Sequence, residues 1–288
     1  MSTLSKEQLI SLEKKANELR NTIVDTVLHA GSGHLGGALS MIDMVTLLYY
    51  HRMNINRQDP TWPGRDRFIM SKGHAGIGFV SVLADLGYIA HEDLKTFNLT
   101  GSKLGIHLDA TKVPGVDAST GSLGHGLSIA LGLAIAARMT GKNYITYCML
   151  GDGECNEGAV WEAAMAIGSR RQTNLITMVD RNHAMLDGNT EDVMKLEPFQ
   201  DKWTAFGFHA QTVNGHDFAA MDQAIGEALE RNDKPTCLIL DTIKGAGVDF
   251  AAGDYRWHYG AINQELAQQA HQSLEGYHHK RVAALEGA

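Results

Sequence analysis

Long apolar runs are missing from this chain: no stretch of about 18 apolar residues occurs, so the sequence offers no membrane-spanning helix. Basic clusters are equally scarce. Beyond Lys14-Lys15, Arg170-Arg171 and Lys280-Arg281 no Lys/Arg group stands out, and 33 acidic against 25 basic residues leave a net charge of −8. That balance excludes a nucleic-acid footprint. Cysteine occurs three times in 288 residues, as Cys148, Cys155 and Cys237, without the paired spacing of a metal site. Cys148 and Cys237 lie in apolar runs and read as small core residues; Cys155 reads as an inert free thiol. No GxGxxG opens a helix after the first strand, which leaves a nicotinamide-binding Rossmann fold unsupported. Without an internal repeat or low-complexity linker, residues 1–288 read as a single domain. Met1 to Arg20 is polar and amphipathic, unlike a secretory signal. A soluble protein of the reducing cytoplasm is the simple expectation.

Apolar residues make up 44 % of the chain, enough for a large core. The most informative segment runs from an apolar strand, Tyr144 to Leu150, through Gly151-Asp152-Gly153 and a helix, Asn156 to Ser169, to a second apolar strand, Leu175 to Asp180. Arg181-Asn182 follows, which puts Asn182 thirty positions after Asp152. This is a βαβ unit with a carboxylate and an amide oxygen at the carboxyl ends of two parallel strands, where open α/β sheets bind ligands. Two hard oxygen donors suit Mg²⁺ or Ca²⁺, ions that keep further positions for substrate phosphates and water. The glycines permit a tight turn and a close approach of backbone to ligand. An acidic chain that binds an anionic cofactor needs such local devices, a metal or a helix N-terminus, in place of a global field.

Around this unit the pattern predicts a helix over Ser5 to Ala30, stopped by Gly31-Ser32-Gly33, and a second helix, Met41 to Arg52, capped by Ser40. Arg67 to Ser71 reads as a short strand, Ala75 to Leu86 as a helix, and Asp93 to Asn98 as a short element. Thr100 to Leu123 is a long irregular tract dense in Gly and His, as expected of a functional loop. Gly126 to Arg138 is apolar almost all round, so it is expected to be buried, in the core or against a partner subunit. Phe208 to Val213 and Thr236 to Thr242 are the remaining strands, separated by a helix over Phe218 to Arg231. Asn263 to Leu285 reads as a closing helix interrupted near Gly276-Tyr277. The fold class is therefore α/β: three layers, a mostly parallel central sheet with helices on both faces.

Further motifs place His or Gly at junctions between elements: Ser32-Gly33-His34-Leu35-Gly36-Gly37, Ser71-Lys72-Gly73-His74, Gly105-Ile106-His107, Gly121-Ser122-Leu123-Gly124-His125, and Thr242-Ile243-Lys244-Gly245 with Trp257-His258. With the GDG…Asn unit, they closely resemble the N-terminal, diphosphate-binding part of transketolases, in the expected order over essentially the whole chain. The resemblance implies thiamine diphosphate and Mg²⁺ (or Ca²⁺) as cofactors. It implies that Asp152, Asn182 and the carbonyl of Ala184 ligate the metal, and that His74, Gly121, Ser122, Leu123, Gly151, Gly153, Glu154 and His258 contact the cofactor. His34, His107 and His258 match the histidines that bond donor-sugar hydroxyls, a role suited to imidazole near neutrality. Glu157 is either an ordinary first-turn acid or, by resemblance, part of a carboxylate relay between two cofactors across an interface. Three positions depart from the family pattern: Leu35 stands where proline is common, His125 where Gln is common, and Arg181 replaces an acid or amide.

Transketolases continue into a pyrimidine-binding domain that bears the glutamate activating the cofactor. The resemblance thus implies half of a split enzyme: a thiamine-diphosphate-dependent transketolase subunit that moves a two-carbon ketol unit from a ketose to an aldose. Its expected partner is a separate pyrimidine-domain subunit, in an α2β2 heterotetramer acting on sugar phosphates or related sugars. Two other readings remain open from the sequence. One is the α-subunit of a 2-oxo-acid dehydrogenase, and the other a non-catalytic cofactor-binding subunit; deoxyxylulose-phosphate synthase is a further relative.

Overall fold

A computed structural model describes residues 4–287; residues 1–3 and 288 lie outside it. Among the described residues five parallel strands form one sheet in the order β1-β2-β3-β5-β4. They are β1 (Arg67–Met70), β2 (Thr146–Gly151), β3 (Leu175–Arg181), β4 (His209–Asn214) and β5 (Thr236–Asp241). The expectation of a mostly parallel sheet is met in full. β2 and β3 are buried at every position, as near-continuous apolar strands must be when both faces are covered.

Alternation along the strands assigns the two faces. Phe68, Met70, Tyr147, Met149, Ile176, Met178, Leu238 and Leu240 join one core cluster with α1 (Lys6–Ala30), α2 (Leu35–Leu47), α3 (Gly76–Asp85), α8 (Phe218–Glu230) and α9 (Gln264–Glu286). Ile69, Cys148, Leu150, Leu175, Val179, Cys237 and Ile239 join the other, with α4 (His125–Met139), α5 (Gly158–Arg170) and α7 (Phe199–Ala205). Helices thus cover both faces. Among the described residues no helix is long and apolar enough to cross a membrane. Burial pushes the Cys148, Cys155 and Cys237 thiols well above their ordinary range, which disfavours the reactive thiolate.

Several boundaries differ from the pattern. Ser5 caps α1 in a capping box with Gln8, as its position suggests. Ser40, however, is no cap. α2 begins at Leu35, with His34 in the capping position and Ser40 buried inside it. The two glycines of the HLGG stretch look like turn residues, but a Cβ on Gly36 would stand 2.8 Å from the Trp257 carbonyl oxygen. Here glycine serves close packing, and packing outweighs its low helix propensity of about 1 kcal/mol. Similarly, α9 runs unbroken through Gly276-Tyr277. The short helix α6 (Thr190–Val193) and α7 carry no pattern strong enough to be anticipated. α4 buries Leu127, Ala130, Ala134 and Ala137 but leaves Ile129 and Met139 open to solvent. Of its two expected settings, burial within the core on all sides is therefore excluded.

Candidate active site

Because β1, β2, β3 and β5 are parallel, the residues that follow them emerge side by side at one edge of the sheet. Ser71-Lys72-Gly73-His74 leaves β1, Asp152-Gly153-Glu154 leaves β2, Asn182-His183-Ala184 leaves β3, and Thr242-Ile243-Lys244 leaves β5. With the start of α2 and the turn at His258 they enclose a cavity of about 310 Å³. His34, His74, His107, Gly121, Leu123, Gly151, Asp152, Gly153, Glu154, Asn182, Ala184 and His258 all line it. Ser122 and Glu157 do not. Ser122 is exposed, with its hydroxyl 3.3 Å from His125 Nδ1, and Glu157 is exposed at the N-cap of α5.

Asp152 is the deepest acid on the cavity wall, 2 % exposed. Its Oδ1 accepts from the Gly153 amide at 2.8 Å, and its Oδ2 accepts from the His183 amide at 2.7 Å and from Arg181 Nη1 at 3.2 Å. Burial, then the nearby Asp180, pushes its carboxyl above the usual range against the pull of Arg181. Asn182 donates from Nδ2 to Asp180 Oδ2 at 3.0 Å, which fixes the amide so that Oδ1 is its free-facing oxygen; that oxygen accepts from the Ala184 amide at 3.2 Å. Glu154 uses both carboxylate oxygens internally. It accepts from Ser71, from the Gly124 amide and from the Gly151 amide, tying three loops of the site together. Gly121, at φ +152°, passes so near His107 that a Cβ would stand 2.9 Å from the imidazole ring.

Three groups are not apparent from the sequence, although their motifs are in plain view. Asp180, next to last in β3, is wholly buried and accepts from Ser40 Oγ at 2.6 Å, Thr242 Oγ1 at 2.6 Å, Asn182 Nδ2 and the Lys72 ammonium. Lys72, 1 % exposed, also donates to the Gly37 carbonyl at 2.7 Å. Lys244 donates to the carbonyls of Ala184 and Met185 at 3.1 and 3.0 Å and lies 2.9 Å from His258 Nδ1. With Lys244 charged, His258 accepts at Nδ1 and keeps its proton on Nε2. Polar residues among Gly and Ser look like solvent-exposed turn, so only the ends of buried strands mark these lysines. Burial pushes Lys244 down to about 8, and Lys72 adds to that, while Asp152 and Asp180 oppose it.

His34, His74 and His258 form a triangle with ring centroids 5.0, 5.3 and 5.1 Å apart, and Tyr259 packs on His34 at 4.7 Å. Burial is the main cause that lowers all three, to about 4 for His34, 2 for His74 and 3 for His258, and the lysines add to it. They are neutral at pH 7. Their folded values lie below the ordinary 6.5, so the unfolded chain takes up protons first as pH falls. Stability contributed by their neutral burial is complete above about pH 6.5 and declines from there toward pH 4. Thermal melts of the apo chain should drop between pH 7 and pH 5, before carboxylates titrate. Replacing His34 and His74 with Gln should flatten that drop.

A family model described as transketolase, thiamine diphosphate binding domain, matches residues 11–284. The chain belongs to the transketolase family. It is 40 % identical over 269 residues to the 6-deoxy-6-sulfo-D-fructose transketolase subunit SqwG of Clostridium sp. (strain MSTE9), with 93 % of this chain and 98 % of that one covered. An apulose-4-phosphate transketolase subunit of Phocaeicola vulgatus is 39 % identical, with 97 and 98 % covered. Human transketolase is 34 % identical over 93 % of this chain but only 42 % of its own. Among solved structures, transketolase from Campylobacter jejuni superposes with a TM-score of 0.87 at 30 % identity, over 96 % of this chain and 46 % of that one. This transketolase-family chain thus spans nearly the whole of the relatives named as subunits and under half of the full-length transketolases. The 2-oxo-acid dehydrogenase reading is not favoured.

The residues at the strand ends fit the group that the family implies. Their donor set is a buried carboxylate, an amide oxygen and a main-chain carbonyl, all hard oxygens. The Lys244 ammonium already rests on the Ala184 carbonyl, which shows that this oxygen accepts a cation's field. Among the described residues no group of three His, Cys, Asp or Glu side chains is placed to hold a metal, so any such site draws on amide and backbone oxygen as well.

Proposed function

We propose that this chain is the diphosphate-binding subunit of a two-subunit transketolase, a single domain that transfers a two-carbon ketol unit from a ketose to an aldose once a separate pyrimidine-domain subunit completes the site. The observation that carries the reading is Asp152, Asn182 and Ala184 converging with the three neutral histidines on one cavity at the sheet's carboxyl edge. Asp152, Asn182 and the Ala184 carbonyl would hold Mg²⁺, and through it the diphosphate. Thiamine diphosphate, when bound, supplies the carbon nucleophile that protein side chains lack. The chain's own residues do the rest. His74 would lie on the diphosphate side, and His34, His107 and His258 would offer imidazole nitrogens to donor-sugar hydroxyls. With its proton on Nε2, His258 is a hydrogen-bond donor to substrate, and Lys244 keeps it so. The neutral imidazoles of His34 and His258 can accept a hydroxyl proton without first losing one of their own.

The near-complete coverage of relatives named as transketolase subunits supports a separate partner, and an α2β2 assembly is the arrangement proposed. The substrates named for those relatives, 6-deoxy-6-sulfo-D-fructose and apulose-4-phosphate, make sugar phosphates and related sugars the class to assay. The purified chain with Mg²⁺, thiamine diphosphate, a ketose phosphate and an aldose phosphate should show no transfer. Addition of the subunit that co-purifies with it should raise turnover at least 100-fold above that background. Full turnover by the isolated chain would refute the split-enzyme reading.

A further inference from the structure

Arg181 is the last residue of β3, next to Asn182. Its side chain is 4 % exposed and ends among three carboxylates: Asp152 Oδ2 at 3.2 Å, Glu191 Oε1 at 2.9 Å and Glu197 Oε1 at 3.1 Å. Nη1 also donates to Thr190 Oγ1, and the guanidinium lies over the Phe199 ring, 5.7 Å from its centroid. Asp152 is the carboxylate at the end of β2. Thr190, Glu191 and Glu197 belong to the stretch that follows the loop bearing Ala184.

That loop is a hairpin closed by the Ala184–Asn189 bridge and by the Thr190 amide donating to the His183 carbonyl at 3.0 Å. Both of its ends are fastened to one carboxylate. The His183 amide donates to Asp152 Oδ2 directly, and the returning end is joined to the same oxygen through Arg181. A guanidinium suits this junction because its planar fork of donors reaches acceptors on different segments in a fixed geometry.

We propose that Arg181 is a positioning residue: its fork locks the Asp152 carboxylate to the 190–197 segment, so that Asp152 and the Ala184 carbonyl are held as one preformed cation site. The inference rests on the reading of Asp152 and Ala184 as metal donors. Arg181 touches neither cofactor nor substrate; it acts through Asp152 and the hairpin.

The test uses the chain with its co-purifying partner and thiamine diphosphate, with Mn²⁺ as a spin-visible probe and hydrogen exchange of amides 183–194 as a second readout. Arg181→Gln should weaken Mn²⁺ binding about 10- to 100-fold, the range for residues that orient metal ligands, and should speed exchange in the hairpin. Arg181→Lys should fall between wild type and the glutamine variant. The double variant Glu191→Gln/Glu197→Gln removes the far anchors while leaving Asp152 and Arg181 in place. It should weaken Mn²⁺ about threefold, as exposed ion pairs contribute little each. Should Arg181→Gln not fold, the lysine and double-glutamine variants carry the test.

Tighter Mn²⁺ binding in Arg181→Gln would overturn the proposal, since the arginine would then only compete for carboxylate charge. Faster exchange with unchanged Mn²⁺ affinity would overturn it too, because the role would be structural alone. Wild-type Mn²⁺ affinity in Asp152→Ala would instead defeat the metal reading beneath it.

Discussion

Asp152→Ala should cost the partner-complete enzyme its thiamine diphosphate. The carboxylate is the only charged oxygen among the three proposed metal donors. Removing an orienting neighbour of a metal ligand typically costs 10- to 100-fold in affinity, so removing the ligand itself should cost at least about 100-fold. Titration of cofactor in the presence of Mg²⁺, followed by calorimetry or by gel filtration of the retained cofactor, reads the effect directly. Stability should respond differently. Burial and the neighbouring Asp180 make the ionised Asp152 an unfavourable group in the apo fold, and Arg181 offsets this only in part. Asp152→Asn, which keeps the shape and removes the charge, should therefore leave the melting temperature of the apo chain unchanged or raised while cofactor binding fails. Functional sites commonly carry such a trade. A variant that retained cofactor with unaltered affinity would remove the metal assignment.

The second large effect is expected at Lys72 and Asp180, 1 % and 0 % exposed. Breaking a buried pair by removing one partner leaves an uncompensated charge and costs about 3–5 kcal/mol. For a chain of this size each kcal/mol shifts the melting temperature by about 2–4 °C, so Lys72→Met should lower it by roughly 10 °C. Asp180→Asn should do the same by stranding the ammonium. The double variant should recover much of the loss, because the interior then holds neither charge; strictly additive losses would show that the two residues act independently. Burial alone would raise the Asp180 carboxyl, but Lys72 and the hydroxyls of Ser40 and Thr242 hold it below the ordinary value of 3.8. Its contribution is thus complete above about pH 4 and is lost as pH falls through the lowered folded value. Single variants at this pair should for that reason be closest to wild type in strong acid.

Much of this arrangement could be read from the residues, and the failures have physical causes. Asp152 and Asn182 were legible because tight turns after apolar strands in a βαβ unit leave few places for their side chains other than the ligand edge. The α/β layers were legible because short apolar runs mark β2, β3 and β5 and helical spacing marks α1. Lys72, Asp180 and Lys244 were not, because a polar residue beside glycine looks alike whether water or a carboxylate receives it. Ser40 misled for the opposite reason. Its hydroxyl has the chemistry of a helix cap, yet it is spent on Asp180, 140 positions away. Glu157, Ser122 and the open face of α4 depend on what lies outside this chain's own cavity. Arg181 was visible as an oddity, but its three carboxylate partners are brought together only by the hairpin after β3.

The Gly33–Gly260 bridge has a bearing on how the cavity is assembled. Its two hydrogen bonds, 2.9 and 3.1 Å long, join the entrance of α2 to the turn bearing His258, and Tyr259 adds a hydroxyl contact to Ser32. The part of the cavity lined by His34 and His258 is therefore built from two segments far apart in sequence and joined side by side. That edge closes only when residues 257–260 reach residues 32–34, so loosening the bridge should disturb His34 and His258 together.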